Sequence, residues 1–471
     1  MLVLSIFACT PTYITNTYVY ELPSEDEYVR DTGIEQVGGE EDSGGSFADP
    51  DALTSELFTA EGLSFWFEVS DEQRTTMNEN WQNSWYYGYG YAYQVETETN
   101  DATYADSMVV EDPSLAVRAD FGKIEFDLTG QSTGMVWDPE EPTSIPAFRI
   151  DVGEFQDNLL IGAEDRRWLA FHNGMITRVM SEPIAYKVMA AMGETVPRTN
   201  FVWVGSSVWG EDIRIPYVLV EKYKIDWCTE HSETLGGCQA MWESFGDFND
   251  WYYSYLITSQ TCEFDECDTT NVSALKEQIA QLGYTDGFEE GTKAYVNWDA
   301  VRRQQVLNWL LWIGDDPFHN TNNVVWLEGD DGRGRYLPYS VDLSAGAAGW
   351  YTDTTFYGWN TLASGCQSDA HCIEELFAAG HQAIADFRLT RPADIVDEVC
   401  QSLNDMGMMR DGDDMECTRL HDWYESRADE ATAELRLVEN QYSSGCSDTG
   451  MVLWGGGNDT GSSSAPCDTG F

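Results

Sequence analysis

The chain has 471 residues, 42% of them hydrophobic and 13% aromatic, which is enough to build one large or two ordinary domains around a sizeable core. Its formal net charge is -57, from 82 acidic and 25 basic side chains. Such a surface repels nucleic acid and anionic lipid headgroups, so the composition argues against both as partners.

Residues 1–9 form a short apolar run that ends in Ala8-Cys9. An apolar stretch closed by a small residue is typical of a secretory signal, and a Cys directly after it resembles a bacterial lipobox. On this interpretation the protein is exported, and acylated Cys9 attaches it to the cell envelope by its lipid alone. A coincidental match is the alternative, because no basic residue precedes the apolar run.

Ten further cysteines are an even number, as a disulfide framework requires. Spacing leaves the connectivity open but favours bonds between neighbours: Cys228 with Cys238, Cys262 with Cys267, Cys366 with Cys372, Cys400 with Cys417, and Cys446 with Cys467. Metal binding is less favoured, since there is no CxxC pair and the six histidines are not at zinc-ligand spacing. Disulfides predict an oxidising compartment, in agreement with export.

Charge and flexibility divide the chain into a folded body and two ends. Residues 10–56 are acidic with almost no apolar pattern and are predicted to be a flexible tether. Residues 441–471 form a similar Gly-, Ser- and Asp-rich tail. The folded body is therefore predicted to span 57–440, with a helical part from about 360.

Strands are predicted in the first half of the body, where apolar and polar residues alternate. The predicted strand regions are 57–70, 90–128, 146–152, 200–204 and 213–223. The aromatic stretch Trp81–Tyr93 also favours a strand with a packed aromatic face. The alternative for this stretch is an exposed surface that stacks on sugars or anchors a partner.

Helices are predicted mainly in the second half. Apolar spacing predicts a helix over Met175–Met192 that Pro183 kinks or splits. A second is expected from Asp299, as N-cap, to Ile313. Three more are predicted over Ala370–Phe387, Ala393–Met406 and Cys417–Val438. This order indicates an α+β fold with a sheet-rich N-lobe and a helical C-lobe.

Groups suited to phosphoryl transfer follow the helix that ends near Ile313. A loop with Asp316 and Asn323 leads into a predicted hairpin, and Asp342 follows that hairpin. Phosphoryl transfer needs a carboxylate near the attacking hydroxyl and hard oxygen ligands for a divalent metal. The alternative is an ordinary surface loop, because Asp and Asn favour turns.

Short motifs in a fixed order also point to a known family. They are Phe148-Arg149-Ile150, Ala191-Met192-Gly193, Pro197-Arg198-Thr199-Asn200-Phe201, Tyr217-Val218-Leu219-Val220-Glu221, Asp316 with Asn322-Asn323, and Val341-Asp342-Leu343. In this order the chain resembles the CotH (spore coat protein H) kinase family over roughly residues 57–350. The resemblance implies an atypical protein-kinase-like fold that uses ATP and Mg²⁺ or Mn²⁺ to phosphorylate exported or surface proteins on serine.

The resemblance also implies roles for five residues. Asp316 matches the catalytic base, while Asn323 and Asp342 match the two metal ligands. Arg149 stands where a basic residue faces the phosphates, and Glu221 where a Glu supports the nucleotide or that basic residue. The ordinary alternatives are a surface ion pair for Arg149 and a strand-end charge for Glu221.

Two departures from the family pattern define a second hypothesis. Residues 127–133 carry no basic side chain, and Ser340 stands where a first Asp is common. Fewer cations and one fewer acid predict weaker binding of triphosphate and metal. The alternative function is therefore a catalytically inactive, kinase-like surface lipoprotein that acts as a binding scaffold; in either case a monomer is expected.

Overall fold

A computed structural model gives the fold of the folded body. It describes residues 47–88 (backbone only for 81–88), 103–129, 147–156, 159–173, 178–244, 248, 262–264, 266–314, 316–319, 323–339, 341–346 and 355–444. Cys9, most of the predicted tether, and the predicted tail from residue 445 onward lie outside these ranges.

A nine-stranded sheet forms the first half of the body. Its strands are β1 (Ser64–Glu68), β2 (Tyr104–Ala105), β3 (Ser107–Asp112), β4 (Val117–Asp120), β5 (Ile124–Thr129), β6 (Ala147–Asp151), β7 (Trp168–His172), β8 (Thr199–Ser206) and β9 (Arg214–Glu221). They lie in the order β2-β5-β6-β7-β9-β8-β1-β3-β4. Neighbouring strands are antiparallel except β1 and β8, which are parallel.

The two faces of this sheet have different roles because side chains alternate along each strand. One face carries an aromatic core in which the rings of Phe126 and Phe148 stack at 4.3 Å and those of Phe148 and Phe171 at 4.6 Å. The other face, here called the inner face, places Ala170 and Val220 in the core shared with the helices. The cross-strand register puts Asp127, Arg149, Ala170 and Val220 in one row on that face.

The described residues also contain eleven α-helices and a small sheet. The helices are α1 (Asp71–Gly88), α2 (Ser181–Ala191), α3 (Ile225–Glu230), α4 (Ser232–Leu235), α5 (Thr270–Leu282), α6 (Phe288–Thr292), α7 (Trp298–Leu310), α8 (Thr361–Gln367), α9 (Ala370–Thr390), α10 (Pro392–Asp405) and α11 (Asp413–Ser443). The small sheet is antiparallel in the order β10 (Ala240–Ser244), β11 (Val324–Glu328) and β12 (Gly334–Leu337). Strands thus dominate the first half and helices the second, which confirms a mixed fold of sheet and helices.

Four disulfides are present in the described residues, and all four match the predicted neighbour pairs. They join Cys228 to Cys238, Cys262 to Cys267, Cys366 to Cys372, and Cys400 to Cys417. The predicted fifth pair, Cys446 with Cys467, lies outside the described residues. Stable disulfides of this kind indicate an oxidising environment, as is found outside the cytoplasm. Within the described ranges, no helix is long and apolar enough to cross a bilayer.

Three local predictions need correction. The prediction of a strand at Trp81–Tyr93 is wrong for residues 81–88, which belong to α1. The helix expected from Met175 has its first helical residue at Ser181, so Pro183 lies in the first turn, where its missing N–H removes no hydrogen bond. The N-cap of α7 is Asn297, whose side chain accepts a hydrogen bond from the Ala300 N–H at 3.3 Å, and not Asp299.

The folded body also begins earlier along the chain than residue 57. A short 3₁₀ helix spans Pro50–Ala52, and Leu53 and Ser55 are buried. The Ser55 hydroxyl donates a hydrogen bond to the buried carboxylate of Asp112 at the end of β3. Residues 47–56, which composition assigns to the tether, therefore lie against the large sheet.

Candidate functional site

Charged side chains collect on the inner face where the large sheet meets the helices and the small sheet. Arg149 on β6 forms an ion pair with Asp127 on β5 at 3.2 Å, and the Arg149 side chain is 48% exposed. Partial burial lowers the pKa of Arg149, but the charges of Asp127 and Glu243 outweigh that effect and raise it. Arg149 therefore lies close enough to Glu243 of β10 to be affected by its charge.

Lys222 is the most deeply buried cation of this region. Its position two residues after Val220 directs it to the inner face, where its Nζ lies 2.6 Å from Glu243 Oε2. The Lys222 Nζ also lies 3.2 Å from the Tyr339 hydroxyl, which donates a hydrogen bond to Glu243 Oε1 at 2.7 Å. Burial lowers the pKa of Lys222, but the Glu243 charge reverses this and raises it. Burial likewise raises the pKa of Glu243, but Lys222 lowers it to about 2.

A histidine and a glutamate form a second polar pair beside Lys222. His172 ends β7, and its Nδ1 lies 2.7 Å from Glu182 Oε2 in the first turn of α2. Burial lowers the pKa of His172, but the charges of Glu182 and Asp342 raise it overall. Glu182 is 3% exposed, and its second oxygen, Oε1, is buried without a hydrogen-bond partner among the residues that the structure describes.

The backbone brings the predicted loop and metal residues together. The register of β11 and β12 pairs Val325 with Leu337, so Asn323 and Asp342 both lie beyond the same end of this hairpin. The N–H of Gly314, at the start of the Asp316 loop, donates a hydrogen bond to the Leu343 carbonyl at 3.3 Å. Asp342 lies in the 3₁₀ turn Val341–Gly346, against which α2 packs.

Asn323 and Asp342 are both half-buried. Asn323 has a left-handed backbone, with φ of 48°, a conformation that Asn adopts more readily than most residues. This conformation turns the chain from the loop into β11 at Val324. The amide of Asn323 and the carboxylates of Asp342 and Glu182 are hard oxygen donors of the kind that Mg²⁺ and Mn²⁺ bind, so this set fits such a metal.

Asp316 lies on the same loop, but its carboxylate is buried and already bonded. Oδ1 accepts hydrogen bonds from the N–H groups of Phe318 at 2.6 Å and His319 at 2.8 Å. Oδ2 lies 2.7 Å from His319 Nδ1, and His319 Nε2 lies 2.7 Å from the Thr355 carbonyl. Both ring nitrogens face acceptors, so His319 is an imidazolium that donates twice. These contacts give Asp316 a structural role in the loop; its role as a base stays a prediction.

Glu221 lies on the opposite side of β9 from Lys222. It is 1% exposed, and its Oε1 is 2.7 Å from the guanidinium groups of both Arg166 and Arg198. Glu230 completes this network by contacting the same two arginines. The structure therefore places Asp316, Asn323 and Asp342 on neighbouring segments and Arg149 on the inner face near Glu243. Glu221 lies in a separate ion-pair network.

Sequence reasoning missed five of the groups that make up this region. They are His172, Glu182, Lys222, Glu243 and Tyr339. Lys222 carried a usable signal, because alternation through Val218 and Val220 places it on the inner face. The others carried none, because Glu243 and Tyr339 meet Lys222 only through the packing of separate sheets.

A separate acidic group lies at the far side of the inner face. Oxygen atoms of Glu125, Asp151 and Glu154 lie within 4.8 Å of one another. Burial and the neighbouring Asp127 raise the pKa of Glu125 to about 8. Asp151, however, is held by Arg167, whose Nε and Nη2 both lie 2.7 Å from its carboxylate oxygens. Arg167 therefore already supplies a positive charge to this acidic group.

No known protein family matches this chain, and no curated protein matches it in sequence. The resemblance to the CotH kinase family consequently rests on the short motifs of the sequence.

Proposed function

We propose that the protein is an exported, kinase-like phosphotransferase that uses ATP with Mg²⁺ or Mn²⁺ to phosphorylate exported or surface proteins. One observation carries the proposal: buried Lys222 forms an ion pair with Glu243, and the charges of Lys222 and Asp342 both act on the His172 ring. Nothing in the packing of an ordinary α+β domain requires a charged lysine at this junction, because a buried ion pair contributes little net stability. A cation in this position is suited to contact phosphate oxygens.

The proposed roles follow from placement and chemistry. Lys222 and Arg149 supply positive charge from the inner face, with Glu243 holding the Lys222 side chain in place. Asp342 and Asn323 hold the metal, which neutralises phosphate charge when bound. Asp316 is the base by resemblance, and this role requires its carboxylate to exchange a contact with His319 for the substrate hydroxyl. The kinase-like fold and the choice of exported or surface proteins as substrates are proposed together with this activity.

A second candidate function is a non-catalytic binding scaffold. The observation that favours it concerns the Asp316 carboxylate, whose two oxygens already accept three hydrogen bonds inside the loop. Arg149 is likewise already paired with Asp127. A protein that has lost catalysis keeps such internal contacts while its surface continues to bind a partner.

Nucleotide binding should separate the two functions. We expect ATP with Mg²⁺ or Mn²⁺ to raise the melting temperature, with about 2.7 kcal/mol of stabilisation at a hundredfold excess over Kd. Asp342→Ala should abolish this shift and leave the apo melting temperature unchanged or slightly higher, because it removes one of several clustered acids. Asp422→Ala, on the exposed face of α11, removes the same charge elsewhere and should keep the shift.

Two results would contradict this expectation. A wild-type protein without a shift at millimolar nucleotide favours the scaffold. A variant Asp342→Ala that keeps the full shift, with lower apo stability, shows that Asp342 forms the turn and does not hold a metal. Differential scanning fluorimetry of the wild type, Asp342→Ala and Asp422→Ala, each with and without ATP and metal, provides all the required comparisons.

We also propose that Cys9 is acylated and attaches the protein to the cell envelope. The disulfides support export, because they need an oxidising compartment. Cys9→Ser in the full-length precursor should move the protein from the membrane fraction to the soluble fraction, since the acyl chains supply the membrane affinity. Fractionation and immunoblotting measure this; a Ser variant that still pellets contradicts the anchor.

A further inference from the structure

Glu182 has an environment that its protein neighbours do not explain. The carboxylate is 3% exposed, and one oxygen accepts a hydrogen bond from His172 Nδ1. The other oxygen is buried without a hydrogen-bond partner in the described part of the chain. Burial of a charged oxygen without a partner is costly, so such atoms in native proteins usually contact water, an ion or a ligand. The position of the oxygen therefore indicates a ligand that the described residues do not supply.

The surrounding charges indicate the sign of that ligand. Glu182 and Asp342 both act on the His172 ring and on the Tyr186 hydroxyl, so the two carboxylates lie near the same groups. Carboxylate oxygens bind hard cations and repel anions, so a cation is the ligand that fits the buried Glu182 Oε1.

The local fold explains why Glu182 points to this place. The residue lies in the first turn of α2, and α2 packs against the turn that contains Asp342. Pro183 follows it in the same turn and fixes the backbone there. His172, from β7, holds one carboxylate oxygen and leaves the other available, which is how outer residues orient metal-ligating carboxylates.

We infer that Glu182 Oε1 is a ligand for a divalent cation shared with Asp342, and that His172 is a positioning residue for the Glu182 carboxylate. The ligand class is a hard, oxygen-preferring ion such as Mg²⁺ or Mn²⁺. The inference deepens the proposed function, since it adds a ligand to the same metal, but binding of the cation requires no nucleotide.

The test uses Mn²⁺ alone, added to the oxidised wild-type protein without nucleotide. The chain has only six histidines, so their Cε1–H signals can be followed by NMR after selective labelling, and His172→Gln assigns the signal of interest. Paramagnetic Mn²⁺ bound at Glu182 should broaden the His172 signal at lower concentration than the signals of the exposed histidines. High monovalent salt suppresses weak binding to the acidic surface.

Two variants complete the test. Glu182→Gln keeps the shape and removes the charge, and it should raise the Mn²⁺ concentration for half-broadening by about tenfold or more. Glu374→Gln removes an equal charge from the exposed face of α9 and should titrate as the wild type. If Glu182→Gln folds poorly, Glu182→Asp retains the charge but withdraws the oxygen, and it should also weaken the binding.

The outcomes separate this inference from the proposed function. The inference is overturned if His172 broadens no earlier than the exposed histidines in the wild type, or if Glu182→Gln titrates unchanged. An ATP–Mg²⁺ thermal shift that survives in Glu182→Gln overturns the inference while leaving the nucleotide proposal intact. Selective broadening that depends on Glu182, in a protein without any ATP shift, supports the metal site and contradicts the kinase function.

Discussion

Glu221→Gln is expected to lower the free energy of unfolding by roughly 3 kcal/mol, because it removes the buried carboxylate of the network and leaves Arg166 paired only with the partly exposed Glu230. Glu221 is 1% exposed and Arg166 is 4% exposed, so water cannot replace the lost charge. The variant should keep any ATP-dependent thermal shift, since Glu221 lies on the opposite side of β9 from Lys222. Urea unfolding measures the first effect, and fluorimetry with nucleotide measures the second.

Glu230 provides a matched control for this prediction. Its carboxylate contacts the same two arginines, but its side chain is 41% exposed. Glu230→Gln should therefore cost about 1 kcal/mol or less, as for other exposed ion pairs. A Glu221→Gln variant with wild-type stability and no nucleotide shift would reverse the assignment and support the role that the CotH resemblance implies for Glu221.

Lys222→Met should produce the largest combined effect on stability and binding. It removes the cation that contacts Glu243 and leaves only the more distant charge of Arg149, so we expect the free energy of unfolding to fall by roughly 2–4 kcal/mol. This range is below that of a fully buried pair, because the Glu243 side chain is 30% exposed and water screens part of its charge. The proposed contact to phosphate is lost as well, so the ATP shift should disappear.

Two further variants show whether these effects share one cause. Lys222→Met combined with Glu243→Gln removes both charges and should recover most of the stability without restoring the ATP shift. Lys187→Met breaks an ion pair with Glu398 in which both partners are exposed, and it should leave both properties nearly unchanged. A Lys222→Met protein that keeps the full ATP shift would remove Lys222 from the proposed site.

Local pattern predicted much of the fold. Alternation placed β6 and β9, and helical spacing placed α9, α10 and α11 within a few residues of their ends. Close spacing in sequence predicted the four disulfides, since short loops cost little entropy to close. Each of these features depends on neighbours in sequence, which is why sequence alone was sufficient.

The errors arose where two local signals competed. Tyr and Gly alternation favoured a strand after Trp81, but Asp71 and Glu72 follow Ser70, whose hydroxyl accepts a hydrogen bond from the Gln73 N–H. That capping arrangement, with acids in the first turn, stabilises a helix start. N-capping by a polar side chain also decides the start of α7, where the amide of Asn297 caps the helix two residues before the predicted Asp299.

The candidate site was less predictable because it depends on tertiary packing. The motifs placed Asp342, Asn323 and Asp316 on neighbouring segments, yet sequence did not reveal that His319 holds the Asp316 carboxylate. The pairing of Lys222 with Glu243 joins the residue that follows β9 in the large sheet to β10 in the small sheet. A contact of this kind can be identified only when the tertiary structure is known.

The segment that precedes the large sheet also protects it from self-association. The edge strand β4 has backbone groups that a strand from a second molecule could bond, as in edge-to-edge aggregation. Ala48 uses two of them: its N–H donates to the Arg118 carbonyl at 2.9 Å, and its carbonyl accepts from the Asp120 N–H at 3.5 Å. The Phe47 ring lies under the Arg118 guanidinium at 4.7 Å. An intramolecular cover of this kind leaves less of the β4 edge for strand addition by another molecule.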